Sequence, residues 1–240
     1  MNIPSIYTSY KKAKDILAEL DILETENTSR AFSLNFSKFS APFFNSFQGE
    51  DYDKIYKICL ENSDYDLLLK DGSFFQFSVL TNTPTSSSIN KGNARFAYYH
   101  NPKNHYTYAE FLEHIISREL EDINTNEVGD LFSLEYEQYI SEAKLNSNVT
   151  PIRYDYDIKT YSPDRHACSH FHIGVNNDIR LATDKFIYPY TFVCFVIQHM
   201  YYQKWKYIDD ITPFFKTNEP NSLVEPDLFS ENEKKLIYIT

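Results

Sequence analysis

The sequence predicts an α+β fold: one mainly antiparallel sheet with helices packed on one side. Three observations carry this. Two apolar runs, Tyr65–Lys70 and Ser73–Leu80, flank an Asp71-Gly72 pair, the pattern of a β-hairpin whose turn needs a positive φ. Two further stretches, Ile152–Ile158 and Ser169–Val175, alternate strictly between apolar and polar residues, as half-buried strands do. Taken together, the segments run α, β, α, β-hairpin, β, α, α, β, β, α, an order that suits a sheet flanked by helices.

In chain order, Ser5 or Thr8 can cap a first helix that reaches about Glu24. Its face is Ile6, Ala13, Ile16, Leu17, Leu20 and Leu23. Polar residues 25–30 end it, and Ala31–Phe36 alternates as a strand. Ser37–Glu50 is aromatic, irregular and interrupted by Pro42, and reads as a loop. Tyr52–Asn62 sets Ile55, Ile58 and Cys59 on one helical face. After the hairpin, Thr81–Gly92 is a Thr/Ser/Asn-rich loop, and Asn93–His100 returns as a strand closed by Asn101-Pro102. Helices are predicted over Thr107–Asn124, with a Thr107/Glu110 capping box, and over Asp130–Leu145, acidic at its start. Pro189–Trp205 is the most apolar helix candidate, with Pro in its first turn and a face of Phe192, Phe195, Val196, His199 or Met200, and Tyr202. A short apolar segment, Lys235–Ile239, ends the chain. The expectation is a single domain over residues 1–240, with a helical insert at 107–148 and an acidic tail at 207–240.

Composition excludes several functions. With five Gly in 240 residues and neither G-x-G-x-x-G nor G-x-x-x-x-G-K, Rossmann and P-loop phosphate binding fall away. The net charge of −11 is uneven: −9 over residues 1–150, +2 over 151–206 and −4 over 207–240. An acidic chain is a poor general binder of nucleic acid, yet a locally positive segment can hold one anionic group. Surplus charge of this kind also simply keeps a protein in solution. Three cysteines, Cys59, Cys168 and Cys194, without C-x-x-C suit a reducing cytosol and no disulfide framework. No signal peptide is read at the N-terminus, and the longest apolar run, Phe192–Ile197, is too short to span a bilayer, so a cytoplasmic location without membrane association is expected.

Chemically capable residues concentrate in Pro151–Trp205, which holds four of the seven histidines. In Ile152–Ile158 the polar side is Arg153, Asp155 and Asp157; in Ser169–Val175 it is His170, His172 and Gly174. If the two strands are neighbours with their apolar sides on the core, these groups share one face. The loop between them adds Asp164, Arg165 and His166, and Arg95 joins if its strand lies alongside. Four readings stay open. One is metal-free phosphodiester cleavage, with one His as base, another as acid, Arg153 neutralising phosphorane charge and Asp155 or Asp157 orienting a His. No cofactor is needed for it. Another is a divalent metal held by His170, His172 and Asp155, for which the ligand types suit Zn, Mn or Fe. A third is recognition of an anion without chemistry. The fourth is a structural Arg–Asp–His ladder tying two strands together.

Other candidates have plainer explanations. Arg165-x-x-x-x-His170 fits the R-x4–6-H spacing of helical HEPN ribonucleases, but Pro163 precedes it and His-Phe-His-Ile-Gly reads as a strand. His199 is expected in the core, His100 and His105 at the surface, and Cys168 and Cys194 as packing residues.

Several strings resemble the uncharacterised bacterial domain-of-unknown-function family 2290. They are Asp71-Gly72-Ser73-Phe74-Phe75-Gln76-Phe77, Arg95-Phe96-Ala97-Tyr98-Tyr99, Arg153-Tyr154-Asp155-Tyr156-Asp157, Ser169-His170-Phe171-His172-Ile173-Gly174, Ile179-Arg180 and Tyr190–Trp205. The likeness covers about Asp66–Trp205. It departs from the family pattern at Ala167 and Leu181, where prolines are common, which bears on turn shape more than chemistry. Arg153–Gly174 also looks like small bacterial RNA-targeting toxins with an R-Y-D strand and an H-x-H strand. These resemblances imply a nuclease-like, RNA-directed effector of a toxin–antitoxin or phage-defence system. Its catalytic set would be His170, His172, Arg153, Asp155 and Asp157, with Arg165, His166, Arg95 and Arg180 binding substrate. RNA or another nucleic acid would be the substrate and an antitoxin-like protein the partner. The contrasting expectation is a non-enzymatic interaction subunit that works through an acidic, Tyr-rich surface.

Overall fold

The structure, a computed structural model, describes residues 3–29, 39–46, 51–80, 93–102, 108–112, 132–145, 149–175, 179–208, 211 and 223–235. Helix α1 (Ile3–Glu19) and strand β1 (Leu23–Glu26) are followed by helices α2 (Ala41–Ser46) and α3 (Tyr52–Glu61). Strands β2 (Leu67–Leu69), β3 (Phe74–Leu80) and β4 (Asn93–Tyr99) come next, then helix α4 (Ser133–Leu145). Strands β5 (Ile152–Asp157), β6 (Ser169–Ile173) and β7 (Ile179–Ala182) lead to helices α5 (Pro189–Met200) and α6 (Tyr202–Trp205). The expected strand at 31–36, the loop at 81–92, His105, most of the helix at 107–124 and the segment 236–239 lie outside the described residues.

The chain divides into two compact units, Met1–His100 with Thr150–Thr240, and Asn101–Val149. In the smaller unit residues 108–112 and α4 are helical. Phe111 packs on Tyr136 and Tyr139, with ring centroids 5.3 and 5.2 Å apart, and Tyr108 on Tyr136 at 5.1 Å.

The larger unit is an α+β fold built on one seven-stranded sheet in sequence order, β1 to β7, with every neighbouring pair antiparallel. The Asp71-Gly72 turn closes the predicted hairpin: Gly72 sits at φ 84°, and its N–H donates to the Leu69 carbonyl at 2.9 Å. Strand alternation sorts the faces. Phe75, Phe77, Phe96, Tyr98, Tyr154 and Phe171 are fully buried on one side and meet α1 and α5. Phe192 of α5 is the keystone there. Its ring lies 6.1 Å from Phe75, 6.4 Å from Phe77, 6.0 Å from Phe96 and 6.3 Å from Phe171.

On the other side α3 covers only part of the sheet. Tyr56 stacks on Phe74 at 5.5 Å, Tyr52 on Tyr99 at 6.3 Å, and the Gln76 amide reaches Cys59 Sγ at 3.8 Å. The polar residues of β4, β5, β6 and β7 on this face are left beside the helix.

Four local expectations need correction. The first helix stops at Glu19, because Asp21 adopts φ 56° while the Asp21 and Ile22 amides turn back to the Ala18 and Leu17 carbonyls at 3.0 and 2.9 Å. That pair of bonds is a Schellman stop, and Leu23 then pairs with Leu69 in the sheet. The loop over 37–50 contains α2, whose Phe43 amide is capped by Ser40 Oγ at 3.2 Å; Pro42 falls in its first turn, where no amide is needed. The helix from Pro189 breaks at Tyr201 (φ −116°, ψ 38°), so α6 is separate. His199 is exposed, not in the core, and its ring lies 4.4 Å from Phe195.

Candidate active site

Register builds the site. Across the sheet one row runs Ser78, Arg95, Asp155, His170, Ala182, and the next runs Ala97, Arg153, His172, Arg180. Partners in a row are direct cross-strand neighbours, and the two rows are one pleat apart, about 7 Å. The face predicted from alternation in β5 and β6 therefore extends over β4 and β7, bringing Arg95 and Arg180 to the same place.

The polar members of these rows line a cleft of about 370 Å³, together with Asp157, His166 and Thr160. His170 and His172 form its floor, only 4% and 3% exposed. His172 Nε2 lies 2.8 Å from His170 Nε2 and 3.3 Å from Asp155 Oδ2. The same Asp155 oxygen accepts from Arg153 Nε at 2.9 Å and Nη2 at 2.8 Å.

Hydrogen-bond logic assigns the protons. The Ala167 carbonyl, 2.9 Å from His170 Nδ1, can only accept, so that nitrogen carries a proton. Burial, and after it the neighbouring His172, push His170 down to about 4, so its ring is neutral at pH 7 and its Nε2 is an acceptor. The His172 Nε2 proton then points between His170 and Asp155. Burial alone would raise the Asp155 carboxyl. The His172 hydrogen bond and the Arg153 and Arg95 guanidinium groups outweigh it and hold the group at about 2. The result is a relay, Asp155–His172–His170, with His172 Nδ1 buried and unpartnered.

His166 arrives by a different route. Ser162-Pro163-Asp164-Arg165 is a tight turn closed by the Arg165 amide on the Ser162 carbonyl at 3.0 Å, with Asp164 at φ 62°. Asp164 is pinned from outside by Ser230 Oγ at 2.5 Å and Asn232 Nδ2 at 3.0 Å. The His166 ring then meets His170 edge-on, centroids 4.9 Å apart. Arg165, on the same turn, is exposed and lines an adjoining hollow instead of the cleft. With Arg165 in a turn and His170 on a strand, the helical HEPN arrangement is absent here.

Asp157 lines the cleft, but its Oδ1 accepts from the Lys159 amide at 2.9 Å and so caps the turn after β5. Ser78 was not anticipated: it faces the cleft opposite Arg95, and its hydroxyl is buried without a partner. The signal was present, since Gln76 and Ser78 are polar residues in an otherwise apolar strand. Arg180 stood out only through the family-like Ile-Arg pair, because β7 has four residues and no periodicity to read.

His170, His172 and Asp155 also bring one ligand atom each within 4.8 Å of one another, an arrangement able to hold a metal. Two imidazole nitrogens on a tetrahedral zinc stand about 3.3 Å apart, given bonds of about 2.0–2.1 Å. The 2.8 Å between the two Nε2 atoms is a hydrogen-bond separation, so a metal would have to spread the pair. Cys168 is buried and pushed up to about 12, mainly by burial, which leaves it an inert thiol.

Fold and site define an α+β protein with a histidine–arginine cleft on an antiparallel sheet. The chain belongs to the family described as Uncharacterized conserved protein (DUF2290), whose model matches residues 19–240. That span is wider than the blocks that carry the sequence resemblance. No curated protein and no solved structure matches the chain. Among the described residues no helix is long and apolar enough to cross a membrane.

Proposed function

We propose that the protein is a nuclease-like enzyme that cleaves phosphodiester bonds in RNA without a metal. The observation that carries this reading is the cleft itself: Arg95, Arg153 and Arg180 converge on the same 370 Å³ space as His166, His170 and His172. Arginines suit a phosphate and its transition-state charge, and histidines move protons near neutral pH. A binding module working through exposed aromatics is less well supported, because the large rings are mostly core; Tyr202 and Tyr207 are the exposed tyrosines among the described large apolar residues.

Geometry distributes the roles differently from a simple His170/His172 acid–base pair. In-line displacement puts the attacking and leaving oxygens on opposite sides of phosphorus, so acid and base must stand apart. At 2.8 Å, His170 and His172 share one proton and act as one unit. Within the Asp155–His172–His170 relay, His172 takes the proton of the 2′-hydroxyl as that oxygen bonds to phosphorus. It does so on Nδ1, the one ring nitrogen of the pair left with a free lone pair, and Asp155 balances the imidazolium charge that results. His166, half-exposed in the cleft wall, gives a proton to the departing 5′-oxygen as the P–O5′ bond breaks. The products are a 2′,3′-cyclic phosphate and a 5′-hydroxyl. A cytosolic bacterial setting, a toxin or phage-defence role and an antitoxin-like partner belong to the same proposal and rest on the sequence resemblance and cysteine usage.

The test is incubation of the purified protein with single-stranded RNA in excess EDTA, with end-group analysis of the products. Cleavage to cyclic phosphate is expected, with a loss of about 10²–10⁴-fold in His166→Ala and in the His170→Ala/His172→Ala double variant. Undiminished cleavage by the folded double variant would remove the proposal. The convergent His170, His172 and Asp155 ligand atoms favour metal-dependent hydrolysis as the second reading. Stoichiometric bound metal, and activity abolished by EDTA, would select it.

A further inference from the structure

The central cleft does not stand alone. A hollow of about 220 Å³ on one side shares Arg95, Arg153 and His172 with it, and a hollow of about 150 Å³ on the other shares His166, His170 and Arg180. The three thus adjoin one another along the two rows. Along β4 alone the lining runs from Asn93 in the cleft to Tyr99 in the larger hollow, six residues or about 20 Å of strand.

The two ends differ in chemistry. The larger hollow is walled by Tyr52 and Ile55 of α3, Tyr99 of β4 and Val175 beyond β6. Gly174 at φ 96° turns the chain there and leaves Val175 47% exposed. Aromatic and aliphatic walls of this kind accept nucleobases without regard to sequence. The smaller hollow is lined by Arg165 and Arg180, both exposed and neither ion-paired among the described residues. Its acids are occupied: Asp164 by Ser230 and Asn232, and one Glu233 oxygen by the Ser230 amide at 2.6 Å.

We infer that the three hollows form one groove for an extended single-stranded oligonucleotide, with bases in the tyrosine-walled hollow, a flanking phosphate at Arg165 and the scissile phosphate over the His170–His172 floor. This rests on the phosphodiester reading for the chemical identity of the chain. Single-strandedness follows from depth. The histidines are 3–4% exposed, so a phosphate must dip to the floor, which a flexible strand does and a stiff duplex does not. A chain-like occupant also explains why the positive charge is local in an acidic protein. Only a few phosphates are gripped, so binding has a shallow salt dependence, about 0.7 in log–log slope for each phosphate contact on a single strand.

The experiment measures fluorescence anisotropy of the full-length protein with cleavage-resistant, fluorescein-labelled 2′-O-methyl oligouridylates of two, four, six and eight nucleotides. A blunt octamer duplex is included. Affinity is expected to rise at least tenfold from two to six nucleotides and then level off, with the duplex at least tenfold weaker than the single-stranded octamer. Arg165→Ala and Val175→Glu, both at exposed positions outside the central cleft, should each weaken the hexamer at least threefold and leave the dinucleotide within twofold. Arg165→Ala should also reduce the salt slope by about 0.7. Affinity independent of length, equal binding of duplex, or no binding of any oligonucleotide overturns the groove. Cleavage of a dinucleotide as efficiently as an octamer also overturns it while keeping the catalytic reading. Length-dependent binding by a protein that cleaves no RNA does the reverse.

Discussion

Where strand β6 crosses the sheet, its two faces are buried almost equally and held by opposite means, whereas the polar face of β5 beside it is only half-buried. On one face Tyr154 and Phe171 are 0% and 2% exposed; on the other His170 and His172 are 4% and 3% exposed. The first set gains free energy simply by leaving water, and its rings interlock with Phe96, Phe186 and Phe192. The second set loses hydration and recovers it only in part, through Asp155 and the Ala167 carbonyl, with His172 Nδ1 left without a partner, as is Ser78 Oγ of β3 on the same face of the sheet. One face explains why the sheet folds. The other face is a burden on folding, a local conflict of the kind that falls at functional or strained sites.

The largest effect expected from breaking this contrast is on the apolar face. Phe192→Ala removes a fully buried ring that meets four others, and should cost about 3–5 kcal/mol. Urea denaturation followed by far-UV circular dichroism measures it. A loss below about 1 kcal/mol would mean that α5 is not the lid of the core.

A smaller, pH-dependent effect belongs to the polar face. Above pH 6.5, His170 is neutral in the folded and unfolded chain alike. Between 6.5 and about 4 the unfolded chain binds a proton that the folded chain refuses, so stability falls as pH falls through this window, and the loss stops growing below it. Asp155 opens a second window, from 3.8 down to about 2, in which the unfolded chain is again the better proton acceptor. His100, lowered by burial, adds to the first window. Comparison of Tm between pH 7.5 and 4.5 for wild type and His170→Gln isolates the His170 share. The wild type should lose more on acidification, and parallel curves would contradict the neutral, buried His170.

How far these faces could be read from sequence follows from their periodicity. Arg153, Asp155, His170 and His172 were legible because β5 and β6 alternate strictly, and a period of two fixes the side without any knowledge of neighbours. The hairpin was legible from Asp71-Gly72 between two apolar runs. Leu23 was misread because its apolar spacing continues the helix, whereas pairing with Leu69 decides the matter, and pairing is not local. β7 was too short to show a period, and α2 lay in an irregular aromatic run. Burial of the two histidines and their 2.8 Å contact depend on the neighbouring turn that brings His166 and Ala167 against them and on the rotamers, which alternation does not encode.

The smallest predicted effect has the opposite sign and probes the burden directly. Ser78 is 3% exposed, and its hydroxyl has no hydrogen-bond partner, although it faces Arg95 across the β3–β4 pair. A buried hydroxyl without a partner costs about 1–3 kcal/mol of desolvation, whereas a methyl group in the same space costs nothing of that kind. Ser78→Ala should therefore leave stability unchanged or raise it by up to about 1 kcal/mol, in contrast to nearly every other truncation of a buried side chain. Paired with the RNA-cleavage assay, the substitution separates two uses of that hydroxyl. A more stable protein that cleaves less efficiently would place Ser78 among the groups that bind substrate. A destabilised protein would show that the hydroxyl is satisfied in solution, and the polar face would then be less burdened than its geometry implies.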